Sequence, residues 1–124
     1  MRWRPDTCAC VLDVTNDMTR AVSAVACPVH RGQSTSRVFA AVRRENTLKN
    51  QAHAIALEQS ELAEDVTVDG TTVRRLREGI SFEWGFTPDR MLDVDIRGAS
   101  ESGRTRLESA LTLALPNMVR VRRG

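Results

Sequence analysis

The sequence lacks several features that would narrow its function directly. It contains no tyrosine, two tryptophans, three phenylalanines and a single lysine, Lys49, against seventeen arginines. No apolar run approaches the roughly eighteen residues that a membrane-spanning helix needs. There is also no glycine-rich phosphate loop and no paired catalytic motif. We therefore expect neither a membrane partner nor a small-molecule substrate, and the chain is not expected to be an enzyme.

The first residues lack the apolar segment of a secretory signal peptide. Residues 1–6 read Met-Arg-Trp-Arg-Pro-Asp, so we expect a protein that is not secreted and that stays in the cytoplasm. The chain has 124 residues and a net charge of +2, which suits one compact domain with a modest core. The excess of arginine over lysine has two interpretations. Guanidinium groups recognise phosphate and carboxylate, but a GC-rich genome also favours arginine codons, and we favour that second interpretation.

Cysteine is confined to one short region. Cys8 and Cys10 are separated by one residue, Cys27 follows after sixteen more, and His30 lies three residues beyond it, whereas the last 97 residues contain no cysteine. Structural zinc is tetrahedral and prefers thiolate and imidazole ligands, so three cysteines and one histidine complete its coordination shell. The pattern predicts one structural zinc ion bound by Cys8, Cys10, Cys27 and His30, with no position open for a substrate.

A hairpin would bring these ligands together. Residues 11–14 and 21–26 have the β-branched content and alternation of strands, and residues 15–19 have turn chemistry. A turn centred near Asp17 and Met18 would place Cys8 opposite Cys27 and Cys10 opposite Val25. The turn at Pro28 would then bring His30 back to complete the shell.

Other states of the cysteines remain open at this point. A disulfide between Cys27 and Cys8 or Cys10 would leave one odd thiol in a chain without a secretory signal. Buried thiols without a ligand are a second alternative. A nucleophilic cysteine with His30 as its base is a third, although the sequence indicates neither an oxyanion hole nor an orienting group.

The remaining chain reads as one long helix followed by mixed structure. Residues 36–59 repeat apolar side chains at three- and four-residue steps, and His53 in this helix is expected on its polar face rather than as a ligand. Residues 60–79 are less readable, and we favour a hairpin over Asp69-Gly70 to a short helix over 71–78. Residues 80–97 contain two alternating strands that we pair with Trp84 opposite Leu92. A helix that begins at Ser100 or Ser102 and a last strand over 118–123, parallel to the second, complete a β-β-α-β unit.

The sequence thus predicts an α+β fold with a zinc-stabilised β-hairpin, a long helix and a β-β-α-β unit whose sheet is mixed. We divide it into a zinc-binding hairpin module (1–32), an amphipathic helix (33–60) and the β-β-α-β unit (61–124), and expect the three to form one compact domain.

One face of the predicted sheet would be charged. Glu83, Asp93 and Asp95 share this face, and Arg120 and Arg122 follow the same alternation on the last strand. Clustered carboxylates are used in acid–base catalysis and in metal binding, but like charges across strands need neutralising partners. A solvated ladder of opposite charges is therefore the favoured interpretation. The segment 120–123, Arg-Val-Arg-Arg, could alternatively contact phosphate, but weakly at this net charge.

The opening of the chain resembles a group of small proteins encoded by tailed bacteriophages. The resemblance is carried by the pattern Trp-x-Pro-Asp-Thr-Cys-x-Cys at residues 3–10, followed by Cys-Pro-Val-His at 27–30. Similar chains continue into a helix like that containing residues 45–50 and a tryptophan-bearing strand like residues 82–84. The resemblance covers about half of the chain and implies a phage origin and a metal-binding N-terminal region. It carries no known activity with it.

These observations favour a non-enzymatic, zinc-stabilised structural protein, a minor component of a phage head or tail. Its expected partners are other phage structural proteins in a homo- or hetero-oligomeric assembly, and its location is the virion or the host cytoplasm. A nucleic-acid-binding or regulatory zinc module is the alternative. Against it, Arg20 is the only basic residue between the first and last ligands, and no stacking aromatic residue lies there.

Overall fold

A computed structural model describes residues 1–122, and the fold is α+β, as predicted. Within these residues there are eight strands and two helices. The strands are β1 (Arg2–Trp3), β2 (Val11–Val14), β3 (Ala21–Val25), β4 (Ala63–Val68), β5 (Thr71–Leu76), β6 (Ser81–Phe86), β7 (Leu92–Arg97) and β8 (Val119–Val121). The helices are α1 (Thr35–Leu57) and α2 (Glu101–Ala114). Neither helix is at once long enough and apolar enough to cross a membrane.

The chain forms two compact units, Met1–Thr47 and Leu48–Gly124. Helix α1 contributes its residues up to Thr47 to the first unit and the others to the second. The three-part division of the sequence at residues 32 and 60 stays a prediction.

The first unit contains the predicted hairpin, with one change in register. Strands β2 and β3 are antiparallel, and β1 adds a short third strand beside β2. Val11 lies opposite Val25, whereas the sequence-based register placed Cys10 opposite that residue. The prediction was wrong by one position because an irregularity between Asp13 and Val14 displaces one strand relative to the other.

The core of the first unit joins this sheet to α1. Leu12 and Val14 project from β2 into a buried cluster that also contains Val38, Phe39 and Val42 of the helix. The side chain of Trp3 meets Phe39 edge to face, with ring centroids 6.1 Å apart. The Oγ of Ser34 accepts a hydrogen bond from the backbone N–H of Arg37 and caps the start of α1.

In the second unit, residues 60–79 contain the predicted hairpin. Strands β4 and β5 pair antiparallel from Ala63↔Leu76 to Val68↔Thr71. Asp69 and Gly70 connect them with φ values of 50° and 78°. Two successive residues with positive φ are typical of a type I′ turn, for which Asp-Gly is a preferred sequence.

The sheet β6-β7-β8 is mixed: β7 pairs antiparallel with β6 and parallel with β8. Trp84 lies opposite Val94, and Phe86 lies opposite Leu92, so the prediction that paired Trp84 with Leu92 was wrong by two residues. A two-residue shift leaves every side chain on its original face, and the apolar side chains of both strands still pack into one cluster.

Helix α2 begins where the sequence indicates. The side chain of Ser100 accepts a hydrogen bond from the N–H of Gly103 at 3.1 Å. Leu107 and Leu111 then reach the core of this unit, where they join Leu92, Val94 and Ile96 of β7. Strand β8 is assigned up to Val121, and Arg123, which the sequence placed in the last strand and near phosphate, lies outside the described residues.

Arginines neutralise the charged ladder on this sheet: Arg120 and Arg122 were predicted to do so, whereas Arg97 was not. Arg97 bridges Glu83 and Asp95 at 3.0 and 3.1 Å, and Arg122 contacts Asp93 at 2.7 Å. The prediction of a solvated face was wrong for Asp93, which is only 6% exposed. Arg122 and Arg120 both contact that carboxylate and offset the cost of burying it.

Candidate metal centre

The four residues that the sequence predicted as ligands lie together in the first unit. The Sγ atoms of Cys8, Cys10 and Cys27 and a ring nitrogen of His30 all lie within 4.8 Å of one another. All three cysteines are free, so no disulfide joins them. The structure therefore contains a Cys3His group that could hold a metal ion.

A tight turn positions Cys27 and His30. The N–H of His30 donates a hydrogen bond to the carbonyl of Cys27 at 3.1 Å. This i to i+3 bond closes a β-turn whose second residue is Pro28, the position where the fixed φ of proline is favourable. The turn brings the Sγ of Cys27 to 3.1 Å from the Nδ1 of His30, which is the role that the sequence analysis gave to Pro28.

The other two cysteines enter from the segment before β2. Cys8 lies in a turn and bend over residues 6–9, and Cys10 comes directly before the strand. The prediction that Cys8 lies opposite Cys27 on paired strands was therefore wrong. The bend instead brings the side chains of Cys8 and Cys10 toward Cys27. The N–H of Cys27 donates a hydrogen bond to the Sγ of Cys10 at 3.2 Å.

The separations between these atoms suit a tetrahedral ion. Zinc–sulfur bonds of about 2.3 Å and zinc–nitrogen bonds of about 2.0–2.1 Å place two sulfurs about 3.8 Å apart, and a sulfur and a nitrogen about 3.5 Å apart. The Nδ1 of His30 lies 3.4 Å from the Sγ of Cys10 and 3.1 Å from that of Cys27. The residues present therefore fit one four-coordinate ion with small adjustments.

The centre is enclosed. Cys10 is 1% exposed, Cys27 6% and His30 3%, whereas Cys8 is partly exposed. Cys10 and Cys27 also belong to the buried apolar cluster of the first unit. The apolar cluster would shield an ion held here from solvent on one side. The ion would lie closest to solvent on the side of Cys8.

The thiols differ in acidity. Burial raises the pKa of Cys8 to about 12, and burial also raises the pKa of Cys10. Burial acts in the same direction on Cys27, but the ring and backbone of His30 and the thiol of Cys10 outweigh it and lower the pKa of Cys27 to about 6. Cys27 is thus the thiol that most readily offers a thiolate, and a bound cation would favour the thiolate form of the other two as well.

The sequence analysis missed one residue beside the candidate metal centre. Glu45 of α1 is buried, and its Oε1 lies 3.4 Å from the Nε2 of His30, on the side of the ring opposite the cysteines. A signal for it existed: Glu45 follows Val38 and Val42 by seven and three residues, so it continues their stripe on the helix. An acidic residue on an apolar stripe indicates a buried polar partner.

His53, which was not expected to be a ligand, lies elsewhere, in the second unit. Its ring meets Phe82 edge to face, with centroids 5.1 Å apart. Among residues 1–122, Cys8, Cys10, Cys27 and His30 are the group whose geometry could hold a metal.

Comparison with protein-family models, with curated proteins and with solved structures gives no match. The geometry of the Cys3His centre and the opening motif are therefore the observations that bear on function.

Proposed function

We propose that the Cys3His centre binds one zinc ion whose role is structural. The observation that carries this proposal is the convergence of four ligand atoms, from two separate segments of the chain, to within 4.8 Å in a largely buried position. Thiolate and imidazole are the ligands that zinc prefers in tetrahedral structural sites. Hard cations such as Mg²⁺ and Ca²⁺ prefer oxygen ligands, which this group lacks.

A structural role fits the ligand count. Catalytic zinc sites retain a position for water or substrate, usually with three protein ligands, whereas structural sites are closed by four. Here four side chains are available, and three of them are buried. The ion would hold residues 6–10 to the turn at 27–30 and so fix the end of the small sheet at which β2 starts and β3 ends.

Native mass spectrometry after zinc loading tests this proposal. We expect one zinc per chain in the wild type and its loss in Cys27→Ala, since that variant lacks one of the four candidate ligands. Val29→Ala is the matched control: Val29 lies in the same turn, is exposed and offers no ligand atom. An apo mass for the wild type and both variants would refute the site.

A specific geometric observation favours a second candidate function, a thiol nucleophile. The imidazole of His30 contacts the Sγ of Cys27 through Nδ1 and the carboxylate of Glu45 through Nε2, as in nucleophile–base–orienter arrangements. Against it, Cys27 and His30 are almost completely buried, and two further thiols converge on the same point. Rapid alkylation of Cys27 alone at neutral pH, in protein that takes up no zinc, would favour this candidate over the metal site.

At the level of the whole protein, we propose a non-enzymatic structural component of a phage particle, in the virion or the host cytoplasm, that assembles with other phage structural proteins. The support is the resemblance of residues 3–10 and 27–30 to small tailed-phage proteins, together with a centre whose four ligand side chains would leave a zinc ion no open position. Mass spectrometry of purified particles tests the role, with a fixed copy number as the expected result. Absence from the particle would contradict it.

A nucleic-acid-binding role is the alternative at this level, and the charges of the second unit argue against it. Many of its arginines already contact carboxylates: Arg74, Arg75, Arg77, Arg97, Arg106, Arg120 and Arg122. Phosphate binding would have to compete with these ion pairs. Titration with labelled DNA and RNA at two salt concentrations distinguishes the roles, since phosphate-driven binding weakens steeply as salt increases.

A further inference from the structure

The carboxylate of Glu45 lies beside a candidate metal ligand rather than in solvent. Glu45 lies in the middle of α1, where a glutamate on the solvent-facing side of the helix would be hydrated. Its side chain is instead buried, with 5% exposed. Burying a carboxylate is costly unless hydrogen bonds or charges compensate it. The imidazole of His30, whose Nε2 is 3.4 Å from Oε1 of Glu45, supplies one such partner.

The two nitrogens of His30 have different surroundings. Nδ1 lies 3.4 Å from the Sγ of Cys10 and 3.1 Å from the Sγ of Cys27, and Nε2 lies toward Glu45. A carboxylate accepts hydrogen bonds and cannot donate them when ionised. A proton on Nε2 therefore satisfies Glu45 and leaves the lone pair of Nδ1 free to bind a cation among the sulfurs.

We infer that Glu45 is a positioning residue of the metal centre, holding His30 as the Nε2–H tautomer so that Nδ1 is the ligand. This inference rests on the proposed zinc site. Carboxylates that hydrogen-bond to a ligating histidine fix its ring orientation and increase its basicity, and their loss typically lowers metal affinity 10- to 100-fold.

Glu45 connects the metal centre to helix α1. The three cysteines and His30 all precede α1, whereas Glu45 belongs to the helix. Through Glu45 the metal contributes to fixing the part of α1 that also supplies Val38, Phe39 and Val42 to the core of the first unit. Metal binding and the docking of this part of the helix are then coupled.

Zinc affinity measured by competition with a chromophoric chelator tests the inference on the full chain. We expect Glu45→Ala to bind zinc roughly 10- to 100-fold more weakly than the wild type. Glu45→Gln should lie between them, because an amide oxygen still accepts the bond from Nε2–H but carries no charge. Glu58→Gln, an exposed residue just beyond the end of α1, is the control that removes the same charge and should leave the affinity unchanged.

A second measurement needs no variant. Long-range ¹⁵N–¹H NMR of the zinc-loaded wild type should show the His30 ring protonated at Nε2 and metal-bound at Nδ1. Binding through Nε2, or equal zinc affinity in the wild type and Glu45→Ala, would overturn the inference while leaving the zinc site intact. A wild type that takes up no zinc would instead overturn the site itself, and the role of Glu45 with it.

Discussion

Asp93 is a buried carboxylate whose two neighbouring charges come from β8 and from the residue that follows it. Arg122 of the chain beyond β8 donates a hydrogen bond at 2.7 Å, and Arg120 lies 3.5 Å away. The hydrogen bond from Arg122 is the main reason that the pKa of Asp93 is lowered; burial opposes it, and Arg120 adds to the lowering. The ionised form of Asp93 therefore stabilises the fold.

This gives a prediction for the pH dependence of stability. Because the pKa of Asp93 is lower in the folded state than its unfolded value of about 3.9, its contribution is present above pH 4 and is lost as the pH falls through the folded pKa. We expect Asp93→Asn to reduce the free energy of unfolding by about 2 kcal/mol at pH 7, as measured by urea denaturation. The difference from the wild type should shrink below pH 4.

A matched control separates burial from charge. Asp65 pairs with Arg74 at 3.2 Å, but both side chains are exposed. Asp65→Asn should change stability by no more than about 0.5 kcal/mol. Equal effects of the two substitutions, or an Asp93→Asn effect that does not depend on pH, would contradict this account of Asp93.

At the residue scale, the candidate ligands were predictable and Glu45 was not predicted. Cysteine and histidine have metal preferences that their spacing makes visible. Glutamate in a helix is usually exposed, so its burial beside His30 depends on where the turn at Pro28 lies against α1, which no local pattern indicates. Only its place on the stripe of Val38 and Val42 gave a signal.

At the scale of elements, the end of the β6–β7 ladder depends on a close approach of two glycines. Gly98 has φ of +84°, and a Cβ built on it would collide with the carbonyl oxygen of Gly79. A side chain at this position would be strained in φ and would also collide with backbone. Glycine is therefore required where β7 ends.

We expect Gly98→Ala to destabilise the protein by more than the 1–2 kcal/mol or so that a left-handed conformation alone costs an L-residue. Gly70→Ala is the matched control, since Gly70 has φ of +78° but open space around its Cα. Urea denaturation of both variants measures the steric contribution as their difference. A difference near zero would show that the backbone moves freely at Gly98.

Element types were more predictable than strand registers. Alternation identified β2, β3, β6 and β7, and Asp69-Gly70 identified the turn between β4 and β5. The irregularity at Asp13/Val14 could not be predicted, because a bulge adds a residue without a distinctive sequence. The register that pairs Trp84 with Val94 rather than Leu92 could not be predicted either, because a shift of two residues leaves every side chain on the same face. Strand β1 has only two residues, too few to alternate.

At the scale of the whole molecule, the two units differ in their dependence on the proposed metal. The buried cluster of the first unit has seven members, and two of them, Cys10 and Cys27, are candidate ligands. The cluster of the second unit has ten members and contains no cysteine. Ligation of zinc can contribute on the order of 10 kcal/mol to folding. The stability of the first unit should therefore depend on zinc more than that of the second.

We therefore expect a strong chelator to unfold the first unit selectively. In amide-resolved NMR, resonances of residues 1–47 should collapse toward unfolded positions, while those of buried residues in the second unit, such as Val94 and Leu111, persist. Readdition of zinc should restore the spectrum. A spectrum that is unchanged by chelation of verified zinc-loaded protein would contradict a structural role of the metal.

The hairpin of β4 and β5 is a suitable site for attaching a tag or a label to this protein. Its tip at Asp69 and Gly70 is exposed, as are most residues of the two strands beside it, and exposed tips of this kind tolerate inserted sequence. An epitope or a fluorescent label placed between Asp69 and Gly70 would leave all three native cysteines untouched. The chain can thus be followed in cells or immobilised on a surface by way of a loop that takes no part in either core.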